Sequence, residues 1–284
     1  MVKFVDTTLC FISFFPEAKY FSEFERFDRY IDKLNRHNNG FDKIDYMSIC
    51  SPNYLHDAHI RHSLRCGANV ICEKPLVLNP WNIEGLIKLE KTMGLKVNTI
   101  LQLRDHPEVK KLKKKISNNK INKKEIDITY ITPRGNWYLQ SWKGDIKKSG
   151  GIATNIGIHF FDLLHYLYGD IRKSIVYLNE ELKSSGYLEF KNANVKWFLS
   201  IDSKDLPNYK INEQLKPYRK FLIDKKELDL SVGFNDLHEI AYKNILNGEG
   251  YGLSDTKNAI ETVSKIRNSN ISDISSHSHS FLVK

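Results

Sequence analysis

Three short polar sets in the N-terminal part of the chain each follow directly on an apolar run. These sets are Ser51-Pro52-Asn53, Glu73-Lys74-Pro75, and Gln102 with Arg104. If the apolar runs are parallel strands, their carboxyl ends meet at one edge of a sheet, which is where such sheets bind ligands. The spacing therefore predicts a binding rim, although ordinary turn chemistry accounts equally well for Pro, Asn and a Glu-Lys pair in loops.

A second candidate lies in a glycine-rich segment that runs from Gly150 to Asp162. If this segment forms a helix, Asn155 and His159 are four residues apart and share a face. A neutral imidazole can accept the proton of an alcohol near physiological pH. The alternative is a histidine that packs inside the fold and is hydrogen-bonded to backbone.

The elements that position the first candidate alternate between strand and helix. An amphipathic helix over 22–36 precedes strands at 46–50, 69–72 and 97–101, with helices over 55–66 and 80–93 between them. Short apolar strands separated by helices predict a parallel sheet covered on both faces.

From residue 125 the strands become longer and alternate in polarity, which is typical of a sheet with one wet face. A helix over 153–168 interrupts them, and helices over 236–246 and 254–268 follow. The predicted fold class is α/β, with an incomplete Rossmann-like parallel sheet followed by an α+β domain that has a large, mostly antiparallel open sheet. The predicted divisions are 1–104, 105–268, and a disordered tail at 269–284.

The formal net charge of +9 comes almost entirely from one segment. Residues 110–124 contain eight lysines and no acidic residue, so the rest of the chain carries +1. Val109, Leu112 and Ile116 recur there at helical spacing, which predicts an amphipathic helix with a lysine-rich solvated face. No nucleic-acid-reading motif accompanies the charge, so we do not expect a nucleic-acid partner.

Composition also limits the environment of the chain. No apolar run is long enough to cross a membrane, and we expect a cytoplasmic protein without a membrane partner. The four cysteines (Cys10, Cys50, Cys66, Cys72) form no C-x-x-C pair, which predicts reduced thiols and no metal site.

Three segments carry a resemblance to a known family: SICSPNYLHDAHIRHSL at 48–64, CEKPLVLNPWNI at 72–83 and SWKGDIKKSGGIATNIGIHFFDLL at 141–164. They resemble the Gfo/Idh/MocA oxidoreductases. Within that family, they are most similar to enzymes that oxidise C3 of UDP-N-acetylglucosaminuronate. Those enzymes act in the biosynthesis of sugars for surface polysaccharides such as lipopolysaccharide.

The resemblance implies hydride transfer from a sugar carbon to NAD, with His159 as the base and Lys74 as the group that holds the hydroxyl, or with these two roles exchanged. It implies cofactor contacts from Ser51, Pro52, Asn53, His56, Glu73, Lys74 and Gln102. It implies UDP-sugar contacts from Lys74, Arg104, Arg134, Tyr138, Trp142, Lys143, Asn155 and His159. It also implies a cis Lys74–Pro75 peptide and a homo-oligomer formed through the second-domain sheet.

The family's glycine-rich turn, which holds the cofactor pyrophosphate at a helix N-terminus, has no counterpart before Phe15. We therefore expect the first domain to be a remnant that binds NAD weakly. Two classes of function stay open: a nicotinamide-dependent sugar-nucleotide dehydrogenase, and a catalytically inactive relative that serves as an oligomer-forming subunit.

Overall fold

The computed structural model describes residues 2–4, 17–36, 43–118, 122–207, 217–230 and 236–283. Its strands are β1 (Val2–Phe4), β2 (Lys19–Phe21), β3 (Tyr46–Ile49), β4 (Asn69–Cys72), β5 (Val97–Thr99), β6 (Lys124–Ile131), β7 (Ile171–Asn179), β8 (Lys183–Phe190), β9 (Ala193–Ser200), β10 (Tyr218–Ile223) and β11 (Lys226–Glu227). Its α-helices are α1 (Phe24–Arg36), α2 (His56–Arg65), α3 (Trp81–Met93), α4 (Pro107–Asn118), α5 (Asn136–Gln140), α6 (Ile146–Ser149), α7 (Gly151–Asn155), α8 (Ile158–Tyr168), α9 (Leu237–Leu246) and α10 (Leu253–Asn268).

The N-terminal half contains a parallel sheet of order β3-β4-β5. Cys72 at the end of β4 lies between Ile49 of β3 and Thr99 of β5. The three polar sets therefore leave the sheet at the same edge, as the sequence predicts, and ligand binding at this rim stays a prediction. A separate parallel pair joins β1 to β2.

The second sheet has the order β11-β10-β6-β9-β8-β7 and is antiparallel except at the β6–β9 pair. Its inner face packs against α8, where Trp197 and Phe161 meet edge to face at 5.3 Å between ring centroids. Ile128 lies opposite Trp197 in the register and is buried in the same core. The fold class predicted from the sequence is confirmed.

The single helix predicted over 153–168 is wrong in one respect, because it is broken between α7 and α8. Gly157 lies at the break, where an added Cβ would come within 2.6 Å of both the Ala153 carbonyl oxygen and Leu199 Cδ1. Only glycine allows the chain to approach β9 this closely. The break separates Asn155, at the end of α7, from His159, on the first turn of α8.

The lysine-rich helix forms as predicted. Val109 on α4 is fully buried, and Leu112 and Ile116 pack against the same core. Lysines on the solvated side form ion pairs, including Lys110 with Asp105 at 2.9 Å. These pairs neutralise part of the local charge.

The prediction of a disordered tail is wrong for residues 269–283, which we call the C-terminal tail. It starts beside β7, where Ser272 donates its backbone N–H to the Val176 carbonyl, and crosses the outer face of the sheet. His279 is fully buried there and contacts Asp127 Oδ1 at 2.9 Å and Thr129 Oγ1 at 3.1 Å. The tail has no helical or strand periodicity because long-range contacts order it. The homo-oligomer predicted through this sheet stays a prediction.

We expect His279→Ala to lower the free energy of unfolding by about 2 kcal/mol, because it leaves buried polar atoms of the sheet without partners. Urea unfolding measures the change. His277→Ala is the matched control, since His277 lies in the same tail and is exposed. Equal midpoints for the two variants would contradict the structural role of the tail.

Candidate functional site

The centre of the site is the loop that follows β4, where Lys74 leaves the parallel sheet toward the second domain. Its peptide bond to Pro75 is cis, as predicted. Lys74 Nζ donates a hydrogen bond of 3.0 Å to the backbone carbonyl of Asn155 at the end of α7. This contact brings the first and second candidate sets of the sequence together.

The surroundings of Lys74 disfavour its charged form. Burial lowers the pKa of Lys74 to about 8, and the nearby cations Lys143 and Arg134 reinforce the shift, whereas Glu73 opposes it. A buried ammonium among like charges loses solvation and gains repulsion. Both the neutral and the charged amine are therefore populated near physiological pH.

Asn155 links Lys74 to a hydrogen-bonded chain of polar side chains. Its Nδ2 donates to the hydroxyl of Tyr138 at 2.7 Å, and its Oδ1 accepts from Asn53 Nδ2 at 3.3 Å. Asn53 is buried and also donates to the Ser149 carbonyl at 3.0 Å. Asn53 therefore fixes the loop after β3 to the second domain, so the predicted cofactor and substrate residues share one network.

His159 lies on the first turn of α8, next to this network. Burial lowers the pKa of His159 well below 6.5, and the charges of Lys74, His238 and Arg219 act in the same direction. The imidazole is therefore neutral at physiological pH. The broken helix places Lys74 against the Asn155 carbonyl and His159 on the following helix, within electrostatic range of the amine.

A cationic and aromatic wall lies on the second-domain side of the site. Lys143 Nζ is 5.1 Å from the ring centroid of Trp137 and 5.6 Å from that of Trp142. Burial lowers the pKa of Lys143, and Arg134 lowers it further. Arg134 and Lys143 both lower the pKa of Lys74, so these two members of the predicted substrate set lie within electrostatic range of the amine.

Sequence reasoning missed His238, on the first turn of α9. His238 Nε2 lies 3.3 Å from Glu73 Oε1. This contact raises the pKa of His238 against the opposing effect of burial. Burial by itself would raise the pKa of Glu73, but His238 and Lys74 bring it below its ordinary value. One feature of the sequence could have indicated His238. The apolar residues of α9 (Leu237, Ala241, Ile245) lie on one face of the helix, and His238 lies on another.

The structure does not support His56 as a cofactor ligand. Both ring nitrogens contact backbone carbonyls, Nδ1 that of Pro75 at 2.7 Å and Nε2 that of Ser51 at 2.8 Å. The ring is fully buried between the loops that follow β3 and β4. His56 therefore positions the two loops, and its nitrogens are not available to a ligand.

Arg104 was predicted to bind substrate, and the structure places it in the interior instead. Its guanidinium forms a bidentate ion pair with Asp162, from Nε to Oδ2 at 2.9 Å and from Nη2 to Oδ1 at 2.6 Å. Nη2 also donates to the Asp255 backbone carbonyl at 2.7 Å. The rings of Tyr166 and Tyr251 lie about it at 5.1 and 4.9 Å. With its charge paired and its side chain 5% exposed, Arg104 is a structural residue.

The side chains of the other predicted rim residues form fewer hydrogen bonds. Ser51 Oγ is paired with His59 Nδ1 at 2.9 Å, and Pro52 begins the turn that carries Asn53. Gln102 is buried, and its Oε1 has no hydrogen-bond partner in the described part of the chain. A buried, unsatisfied acceptor at the end of β5 is available to a ligand donor.

The family models of known proteins match both halves of this arrangement. An oxidoreductase-family model with an NAD-binding Rossmann fold matches residues 13–100, and the C-terminal α/β domain of the same family matches residues 113–214. The chain belongs to the Gfo/Idh/MocA family of oxidoreductases.

Solved structures of this family extend the similarity over nearly the whole chain. The WlbA (WbpB) dehydrogenase from Thermus thermophilus, crystallised with NAD and UDP-GlcNAcA, is 42% identical, with a TM-score of 0.91 over 98% of this chain and 90% of that chain. The WlbA dehydrogenase from Bordetella pertussis, with NADH and UDP-GlcNAcA, is 16% identical with a TM-score of 0.70, over 94% of this chain and 86% of that chain. At 16% identity, the similarity to the Bordetella pertussis enzyme shows a common fold and no more.

Curated relatives in the family are more distant. The putative oxidoreductase YteT of Bacillus subtilis is 26% identical over 64% of this chain, and inositol 2-dehydrogenase of Rhizobium meliloti is 30% identical over 45% of it. The chain spans 40% and 37% of the lengths of these two relatives.

Among the described residues, no group of three or more His, Cys, Asp or Glu side chains is placed to hold a metal ion. No helix in the same ranges is long and apolar enough to span a membrane.

The pKa values of the two histidines of the site are shifted in opposite directions. We expect His238 to titrate above 6.5 and His159 to stay neutral from about pH 6 to pH 8, as measured by NMR of the ring signals. Because the folded-state pKa of His238 is raised, its contribution to stability is full below the unfolded pKa and is lost as pH rises through the folded one.

Glu73→Gln tests the cause of the shift at His238. Removing the carboxylate should lower the pKa of His238, because the contact with Glu73 is the main cause of its upward shift. A His159 that becomes charged near neutral pH would contradict the electrostatic description of the site.

Proposed function

We propose that this chain is a nicotinamide-dependent dehydrogenase that oxidises C3 of UDP-N-acetylglucosaminuronate in the biosynthesis of surface-polysaccharide sugars. The observation that carries this proposal is the 42% identity, over 98% of the chain, to a dehydrogenase crystallised with NAD and UDP-GlcNAcA.

The charge of the site supports an anionic sugar nucleotide as the substrate. Lys74, Lys143 and Arg134 act on one another electrostatically, and Glu73 is the carboxylate that acts on Lys74. A diphosphate and a uronic carboxylate are ligands that cations bind through charge-assisted hydrogen bonds. The indoles of Trp137 and Trp142 provide flat apolar surfaces beside Lys143.

The residues at the strand ends fit the nicotinamide portion of the cofactor. NAD supplies the acceptor for the hydride that leaves the sugar carbon. Gln102 Oε1 is a buried acceptor without a partner among the described residues, and a carboxamide N–H would satisfy it. Pro52, Asn53 and Glu73 lie at the neighbouring strand ends. We assign the nicotinamide half of the cofactor to this rim.

The electrostatics favour Lys74, and not His159, as the base that removes the hydroxyl proton. A general base is most effective when its pKa lies near the working pH. The pKa of Lys74 is about 8, whereas that of His159 is far below neutrality. In this assignment Lys74 takes the proton, and the neutral His159 orients the hydroxyl by a hydrogen bond.

The first prediction concerns the substrate. We expect kcat/KM for UDP-N-acetylglucosaminuronate to exceed that for UDP-N-acetylglucosamine by about 10- to 150-fold, since one lost charge-assisted hydrogen bond costs about 1.5–3 kcal/mol. NADH formation at saturating NAD measures the rates, and product analysis locates the oxidised carbon. Equal rates, or oxidation at another carbon, would contradict the proposal.

Lys143→Gln tests the recognition of the carboxylate. The variant should lose most of its preference for UDP-N-acetylglucosaminuronate and keep its rate with UDP-N-acetylglucosamine. Lys111→Gln is the control, because it removes one charge from an exposed ion pair on α4. If Lys143→Gln lowers both rates equally, Lys143 binds the diphosphate instead. Binding of the sugar nucleotide without turnover would favour the inactive-relative alternative.

The second prediction concerns the base. If Lys74 is the base, kcat/KM should rise with pH through an apparent pKa near 8, because the amine must be neutral. If His159 is the base and Lys74 the donor, the rate should fall through the same pKa. Lys74→Arg should lower kcat by about two to four orders of magnitude. His159→Asn, which keeps a hydrogen-bonding group, should lower kcat less than Lys74→Arg does.

A further inference from the structure

A groove of about 450 Å³ lies outside the site described above, between the start of α3, helix α6 and the end of α10. We call it the Trp81 groove, after the indole on its rim. Its volume lies within the range of small-molecule sites. The loop of Leu78 and Asn79, which follows the Glu73-Lys74-Pro75 turn, forms one wall.

The apolar part of the Trp81 groove is unusually exposed. The side chain of Trp81 is 68% exposed and that of Ile146, on the opposite wall, is 51% exposed. Tryptophan is highly buried on average in folded proteins. The indole therefore provides a flat surface on which a planar group can stack.

The polar part of the Trp81 groove contains two cations, Arg267 and Lys147. Arg267 Nη2 donates to the Leu78 carbonyl at 3.0 Å and to Asn79 Oδ1 at 2.8 Å, and both acceptors are neutral. Burial lowers the pKa of Arg267, with no neighbouring charge contributing. Within the described ranges neither cation forms an ion pair with a carboxylate, although the neighbouring Lys148 lies 3.7 Å from Asp145.

A guanidinium held in place by two neutral acceptors keeps its Nη1 and Nε hydrogens for a further anion. Guanidinium and ammonium groups that share a concave surface bind phosphate. Together with an exposed indole at the same groove, they match a ligand that has both a phosphate and an aromatic base. We propose that the Trp81 groove is a binding site for a nucleoside phosphate, separate from the candidate catalytic site.

The position of the groove gives such a ligand access to the catalytic elements. One wall continues from the Lys74 loop, and α6 ends at Ser149, whose carbonyl holds Asn53. An anion bound by both Arg267 and Lys147 would connect these two segments. The proposal does not depend on the reaction proposed above, because it rests on other residues.

The four tryptophans of the chain allow the site to be located directly. In the full chain labelled with 5-fluorotryptophan, Trp81 reports the groove, Trp137 and Trp142 report the candidate catalytic site, and Trp197 reports the core. Trp-to-Phe variants assign the four ¹⁹F signals. We expect UDP to shift the Trp81 signal with saturation below about 10 mM, and high salt to weaken the effect.

Lys147→Gln should weaken the Kd read from the Trp81 signal by about 5- to 10-fold, as for the loss of one partly exposed charged contact. Lys148→Gln, one residue away on α6 and paired with Asp145, should leave that Kd unchanged. Shifts at Trp137 and Trp142 alone would overturn the proposal, since UDP would then bind only at the catalytic site. An equal Trp81 shift with uridine would also overturn it, as would a shift on protein dilution without ligand, which would mark a self-association surface.

Discussion

The buried ion pair between Arg104 and Asp162 is the interaction on which the position of the site depends. It joins the end of the parallel sheet to α8, and the further bond to the Asp255 carbonyl adds α10. Removing one partner of such a pair leaves an uncompensated buried charge and costs about 3–5 kcal/mol. Because the sheet is fixed in this way, Lys74 at one strand end meets Asn155 of the second domain.

The contact between the two domains sets the protonation of Lys74 and His159. Lys74 loses solvation where the two domains meet and also faces Lys143 and Arg134, so its amine titrates near physiological pH. Burial, together with the charges of Lys74, His238 and Arg219, keeps His159 neutral. The site between the two domains has more cationic than anionic side chains and is therefore suited to an anionic ligand. It also contains an amine that can exchange a proton.

The C-terminal tail determines what the outer face of the second sheet presents. The rings of Phe281 and Phe198 pack at a tilt with their centroids 5.3 Å apart, and Lys196 Nζ donates to the Ser276 carbonyl at 2.7 Å. A partner chain that docks on this face would meet the tail as well as the strands. The outer face of the sheet is therefore made jointly by residues that are far apart in sequence.

The sequence by itself determined the short parallel strands of the first domain, the longer strands of the second and the family, because periodicity and short motifs are local properties. It also located Lys74, Asn155 and His159 as site residues whose roles stay predictions. Only the tertiary structure decided that Arg104 and His56 are structural and that His238 faces Glu73. Charged and imidazole side chains are chemically suited to either role, and the difference lies in partners that are 58 and 19 residues away for Arg104 and His56. Such pairings depend on how the domains pack, and no local pattern records them.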